Sequence, residues 1–134
     1  MQSHAYVAIV TLLALLTVFW MSVQVVRVRR RCGIMAPQTT GDPELERAIR
    51  AHENTLEWLP LFLVSLWLFA IYWNDMVAAA LGVLWIVGRI IYQRGYQTAA
   101  EKRAPGFLIQ FLAVAALLLG ALGRLIYVVA ITGA

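Results

Sequence analysis

Charge is scarce in this chain, and cysteine is nearly absent. Of 134 residues, 13% are charged and 62% hydrophobic, with a mean hydropathy of +0.76. A soluble domain this small has too much surface to hide so many apolar side chains. The composition therefore points to one integral membrane domain covering residues 1–134. Cys32 stands alone, which excludes an intramolecular disulfide and a cysteine metal site and leaves a free thiol. His4 and His52 lack ligand spacing, and Glu53 beside His52 is not the two-histidine zinc motif, so no metal is expected. No Gly-rich phosphate loop, nucleophile elbow or internal repeat is present. Strand-like alternation is missing too. Long unbroken apolar runs exclude a β-barrel and leave helices to satisfy the backbone across about 30 Å of hydrocarbon.

What is present is four apolar spans, read as helices over about 5–28, 45–73, 76–103 and 105–131. The first contains neutral polar residues such as Thr11, Thr17, Ser22 and Gln24 but nothing acidic. The second opens near Pro43 and is apolar from Trp58 to Trp73. Asn74-Asp75 reads as a tight connection, and Pro105 as the first turn of the fourth helix. The expected fold is an all-α, up-down-up-down four-helix transmembrane bundle. The first span lacks the basic leader of a signal peptide and carries its arginines after the apolar run, so it reads as an uncleaved helix.

Basic residues set the expected orientation. Arg27, Arg29, Arg30, Arg31, Arg47 and Arg50 flank the first connection, and Arg89, Arg94, Lys102 and Arg103 the third; the Asn74-Asp75 connection has none. Both basic connections are expected in the cytoplasm, with both termini outside. A net charge of +4 then needs no nucleic-acid partner, since a basic face beside anionic headgroups accounts for it. Arg124, near the far end of the fourth helix, is expected to snorkel to the outer headgroups.

The chemistry lies on two helical faces. At about 100° per residue, Arg50, Glu53, Asn54 and Glu57 share one arc of the second helix, with Arg47 at its edge. Arg89, Tyr92, Tyr96 and Arg103 align on the third if it stays regular through Gly95. Intramembrane polar groups are costly, and a cleft lined by these stripes suits a ligand with carboxylates for the arginines, an ammonium for the glutamates and peptide groups for Asn54 and the tyrosines. A small zwitterionic peptide fits. The spacing equally admits a plain helical salt bridge from Arg50 to Glu53 or Glu57, with interfacial tyrosines.

The segment Arg50-x-x-x-Asn54-x-x-Glu57-Trp58-x-Pro60-x-Phe62 follows Thr39-Thr40-Gly41-Asp42-Pro43-Glu44. It precedes Gly88-Arg89-x-x-Tyr92-x-x-Gly95-Tyr96 and Arg103. In combination these strongly resemble the MAPEG family, the membrane-associated proteins in eicosanoid and glutathione metabolism. The resemblance implies a homotrimer with three glutathione sites between neighbouring subunits at the cytoplasmic end. It implies that Arg50, Asn54, Glu57, Tyr92 and Tyr96 hold glutathione, that Arg29 or Arg30 reaches its carboxylate from the adjoining helix, and that Arg103 activates the thiol. His52 stands where the leukotriene-synthase-like branch usually has glutamine, and Trp58 replaces its usual tyrosine, removing one phenolic hydrogen bond.

The implied activity is transfer of glutathione to lipophilic electrophiles from the bilayer, with reduction of lipid hydroperoxides as a further expectation. A non-enzymatic lipid-binding member of the family is the main alternative, but it has no use for a polar peptide site. A small multidrug exporter would be expected to carry an acidic residue in its first helix, and this one has none. The bare N-terminus and the absence of a C-terminal retention signal favour a bacterial inner membrane over the endoplasmic reticulum.

Overall fold

The computed structural model describes residues 3–133, and its α-helices are α1 (Ala5–Cys32), α2 (Pro43–Tyr72), α3 (Asp75–Thr98) and α4 (Ala104–Thr132). They run 24 to 30 residues, about 36–45 Å at 1.5 Å per residue, more than the hydrocarbon thickness requires. All four are long and apolar enough to cross a membrane, and the described residues contain no strand. This is the all-helical, four-span architecture expected from the sequence.

Local chemistry sets the helix ends. Gly33 closes α1 in the left-handed region (φ 73), returning its N–H to the Arg29 carbonyl. Asp42 caps α2 by accepting from the Leu45 N–H at 3.0 Å, with Pro43 in the first turn and Glu44 and Glu46 complementing the helix dipole. Asn74 caps α3 in the same way, accepting from the Val77 N–H at 2.9 Å. The Asn74-Asp75 turn is as tight as expected.

The bundle is closed inside and greasy outside. Phe62 and Trp85 stack with centroids 4.0 Å apart, both fully buried among Val7, Ala14, Leu66 and Leu117. Leu12, Phe19 and Leu119 are each more than 60% exposed, as lipid-facing side chains should be. Small residues bring α3 and α4 together: a Cβ on Gly88 would lie 2.8 Å from the Gln110 nitrogen, and one on Gly106 would collide with the Tyr92 backbone. Few polar pins cross the apolar zone. Trp67 donates its indole N–H to the Thr11 hydroxyl at 3.0 Å, joining α2 to α1.

At one end of the bundle His4 meets Asp75, and Arg124 donates to the Tyr72 carbonyl at 3.2 Å. Arg124, expected at the outer headgroups, thus caps the end of α2. At the other end Arg31 pairs with Glu44, and Arg47 donates to the Gln97 carbonyl. The basic connections therefore share one end.

One expected boundary is different. The third helix does not continue to Arg103: α3 stops at Thr98, Ala99 is extended, and a 3-10 turn covers Ala100–Arg103. The turn folds back onto α3 over Gly95, where a Cβ would collide with the Lys102 carbonyl. Arg103 reaches the tyrosines by this reversal and not by helical periodicity.

Candidate functional site

Four backbone segments converge at the basic end around a cavity of about 280 Å³ lined by Arg50 and Asn54 of α2, Tyr92 of α3, Arg103 of the 3-10 turn and Phe107 of α4. The polar stripe of α2 is present as expected. Arg50 donates to Glu57 at 3.1 Å and lies 3.7 Å from Glu53, while the Asn54 amide approaches Glu57 at 3.4 Å. The helical salt bridge that the spacing admits therefore exists. Arg50, Glu53 and Glu57 are all more than half exposed, so water screens the pair and a ligand carboxylate can compete for the guanidinium.

Beneath this exposed layer the walls are fixed by aromatic packing. Tyr92 and Tyr96 are buried and stacked with centroids 5.6 Å apart, and the Arg103 guanidinium lies 5.0 Å above the Tyr96 ring. Tyr96 thus carries Arg103 without lining the cavity itself. Trp58 meets Phe107 edge-on at 5.7 Å, and Phe107 stacks on Phe111 at 6.4 Å, making an aromatic wall that runs from the cavity along α4 towards the lipid-facing surface. An indole at position 58 fills this wall where a phenol would present a hydroxyl.

Arg89 is the stripe residue to which the resemblance gives no role. It belonged to the α3 stripe, but its partner could not be read from spacing. It is fully buried, donates through Nη1 to the Asn54 Oδ1 at 2.9 Å, and lies 3.5 Å from the Thr55 hydroxyl. Trp58, Trp85 and Tyr92 surround it, the Tyr92 centroid 4.9 Å from its Cζ. No carboxylate lies within 4.0 Å of it among the described residues. The rings hold the cation, and the cation holds Asn54 with its amide turned towards Glu57.

Arg29 and Arg30 are not brought to this cavity within the chain. Arg29 donates to the carbonyls of Ile34 and Gln38 and so closes the α1–α2 loop; Arg30 is exposed on α1. The expected site residues from α2, α3 and the 3-10 turn gather, and those from α1 do not. Among the described residues no group of His, Cys, Asp or Glu could hold a metal ion.

Four apolar spans around a buried aromatic core, with a cation-rich cavity at one end, define a multi-pass membrane protein. The chain matches the model of the MAPEG family over residues 7–132 and belongs to that family. It is 46% identical to an uncharacterized protein of Synechocystis over 86% of this chain and 84% of that one. It is 39% identical to microsomal glutathione S-transferase 2 of Homo sapiens, over 87% of this chain and 80% of the relative. Leukotriene C4 synthase of Cavia porcellus is 41% identical over 74% of this chain and 66% of its own.

Proposed function

We propose that the protein is a membrane-bound glutathione transferase that adds the glutathione thiolate to lipophilic electrophiles. The observation that carries this reading is the convergence of Arg50, Asn54, Tyr92 and Arg103 on one cavity whose wall continues as Phe107 and Phe111. Relatives named as a glutathione transferase and a leukotriene synthase support it. Arg50 takes a glutathione carboxylate, Glu57 its ammonium, and Asn54 and the Tyr92 hydroxyl its peptide groups. Tyr96 supports Arg103 from below. Arg29 or Arg30 completes the site from the neighbouring copy in a homotrimer, since neither lines the cavity of its own protomer.

Arg103 acts on the sulfur. Only the thiolate is a good nucleophile, so the cation favours loss of the thiol proton to water and steadies the resulting anion. The thiolate attacks an electrophilic carbon held against the aromatic wall. A carbon–sulfur bond forms, and the electron pair of the breaking bond leaves with the displaced group or passes to a proton from water. With a lipid hydroperoxide, two glutathiones supply two electrons, giving the disulfide, an alcohol and water. The cavity lies at the basic end, which faces the cytoplasm and its glutathione, while electrophiles arrive through lipid. The protein's main contribution is to align reactants from two phases.

The deciding experiment pairs the ultraviolet thiolate band on adding glutathione to the detergent-purified protein with conjugation of a chloro-nitroaromatic. Thiolate at neutral pH and saturable turnover are expected. Folded protein showing neither would leave a lipid-binding role.

Two variants separate the roles. Arg50→Ala should weaken glutathione binding roughly tenfold, the effect of one charge-assisted contact, with turnover at saturation retained; an unchanged dissociation constant by titration calorimetry would reduce Arg50 to its salt bridge. Gly95→Val should displace the turn that carries Arg103, because the added side chain meets the Lys102 backbone. Conjugation should then fall while helix content by circular dichroism stays within a few per cent; wild-type turnover would show that the reversal over Gly95 does not position Arg103.

A further inference from the structure

Two cavities away from the glutathione site share one side chain. A groove of about 410 Å³ runs between α1 and α3, lined by Leu13, Leu16, Trp20, Ile86 and Ile90, with Arg94 towards its basic end. Arg94 also lines an open polar mouth of about 560 Å³ with Glu44, Arg47, Gln97 and Thr98. Leu13 and Leu16 are 43% and 60% exposed, so the groove opens to the lipid-facing side of the bundle.

The charge in the mouth is unbalanced. Glu44 is already engaged by Arg31 and by the Gln97 amide at 3.1 Å. Arg47 bonds only the Gln97 carbonyl, at 3.2 and 3.4 Å, and neither Arg47 nor Arg94 has a carboxylate within 4.0 Å among the described residues. Two uncompensated guanidiniums therefore stand at the end of an apolar channel in the bilayer. That arrangement complements an amphiphile with an anionic head and a hydrocarbon tail. A choline headgroup would set its ammonium against these cations, with the one nearby carboxylate already taken.

We propose that the α1–α3 groove and its polar mouth bind an anionic phospholipid, one acyl chain lying along Leu13, Leu16 and Trp20 and the phosphate held by Arg94 and Arg47. Arg94 is the hinge of the site because it alone faces both the chain and the head. Guanidinium suits the phosphate through its planar donor fork. The lipid sits on helices that carry the catalytic residues but touches none of them, so the site stands whether or not the transferase reading holds.

The test is native mass spectrometry of the full chain in detergent with equal amounts of phosphatidylglycerol and phosphatidylcholine of identical acyl chains. Retained phosphatidylglycerol should exceed phosphatidylcholine, and Arg94→Gln should cut the preference roughly fivefold, the effect of one basic residue beside an anionic lipid. Arg94→Lys should keep much of it. Ile90→Trp, which fills the groove without touching charge, should lower retention of both lipids. Soluble glycerol phosphate at the same concentration should not displace the lipid, because it lacks the chain. Equal retention of the two lipids by the wild type, a preference unmoved by Arg94→Gln, or displacement by glycerol phosphate would each overturn the proposal. Helix content by circular dichroism confirms that each variant is folded.

Discussion

Replacing Arg103 by alanine is expected to abolish the thiolate band at neutral pH and slow conjugation roughly 25-fold at pH 7, while glutathione affinity stays within a few-fold of wild type. The size follows from simple electrostatics. An ordinary thiol titrates near 8.5, and lowering that by about 2 units takes about 2.7 kcal/mol of preferential anion stabilisation. One guanidinium about 4 Å away supplies about 4 kcal/mol at an effective dielectric near 20, before desolvation. A single arginine is enough. Because the effect lies in the protonation of sulfur, turnover of the variant should recover as pH rises towards 8.5, where even an unassisted thiol ionises. A pH–rate profile parallel to that of the wild type would remove Arg103 from thiol activation. The stack of its guanidinium on Tyr96 suggests a further control: Tyr96→Leu should loosen Arg103 and move the same profile in the same direction, by less.

The second large effect is expected at Arg89. Arg89→Met keeps the length of the side chain and removes the charge, leaving the Asn54 Oδ1 without the donor that now lies 2.9 Å away. Glutathione affinity should fall about tenfold, the loss of one hydrogen bond from a charged group to the residue that orients the ligand's peptide. Stability should move the other way or not at all. A buried cation without a carboxylate partner is expensive, and an apolar side chain of similar volume among Trp58, Trp85 and Tyr92 is well accommodated. Weakened binding with an unchanged or raised thermal midpoint would identify Arg89 as a positioning residue for Asn54. A collapsed midpoint with intact binding would make it a structural cation instead. Arg89→Lys separates charge from shape, since an ammonium cannot reproduce the planar contact with three rings.

These two arginines show where reading the chain succeeded and where it fell short. The resemblance gives Arg103 its role and a regular third helix would align it with the tyrosines; the structure brings it over Tyr96 by a different route, the 3-10 turn. The break at Thr98 was not legible because it depends on which segment folds back over Gly95, and a glycine does not announce its neighbour. Arg89 was visible as part of a stripe, but its pairing with Asn54 depends on the angle between α2 and α3. The resemblance places Arg29 and Arg30 at the ligand; within the chain Arg29 serves the α1–α2 loop, a use that becomes evident only once Ile34 and Gln38 return to it. By contrast, the α2 stripe of Arg50, Asn54 and Glu57 was fully legible, since residues three, four and seven apart on one helix must face the same side.

The sequence by itself determined the number of spans, the tight Asn74-Asp75 connection and the gathering of basic connections at one end. Each of these follows from local composition: apolar length against bilayer thickness, turn-forming residues between two apolar runs, and arginines clustered at the first and third connections. Only the tertiary structure decided which polar groups would be buried and which would remain free for a ligand. The helices must first pack through Gly88 and Gly106 to close the aromatic core, and that packing surrounds Arg89 with rings while leaving Arg50 and Glu57 in water. Burial of a charge is a property of neighbouring surfaces, and no single helix carries that information.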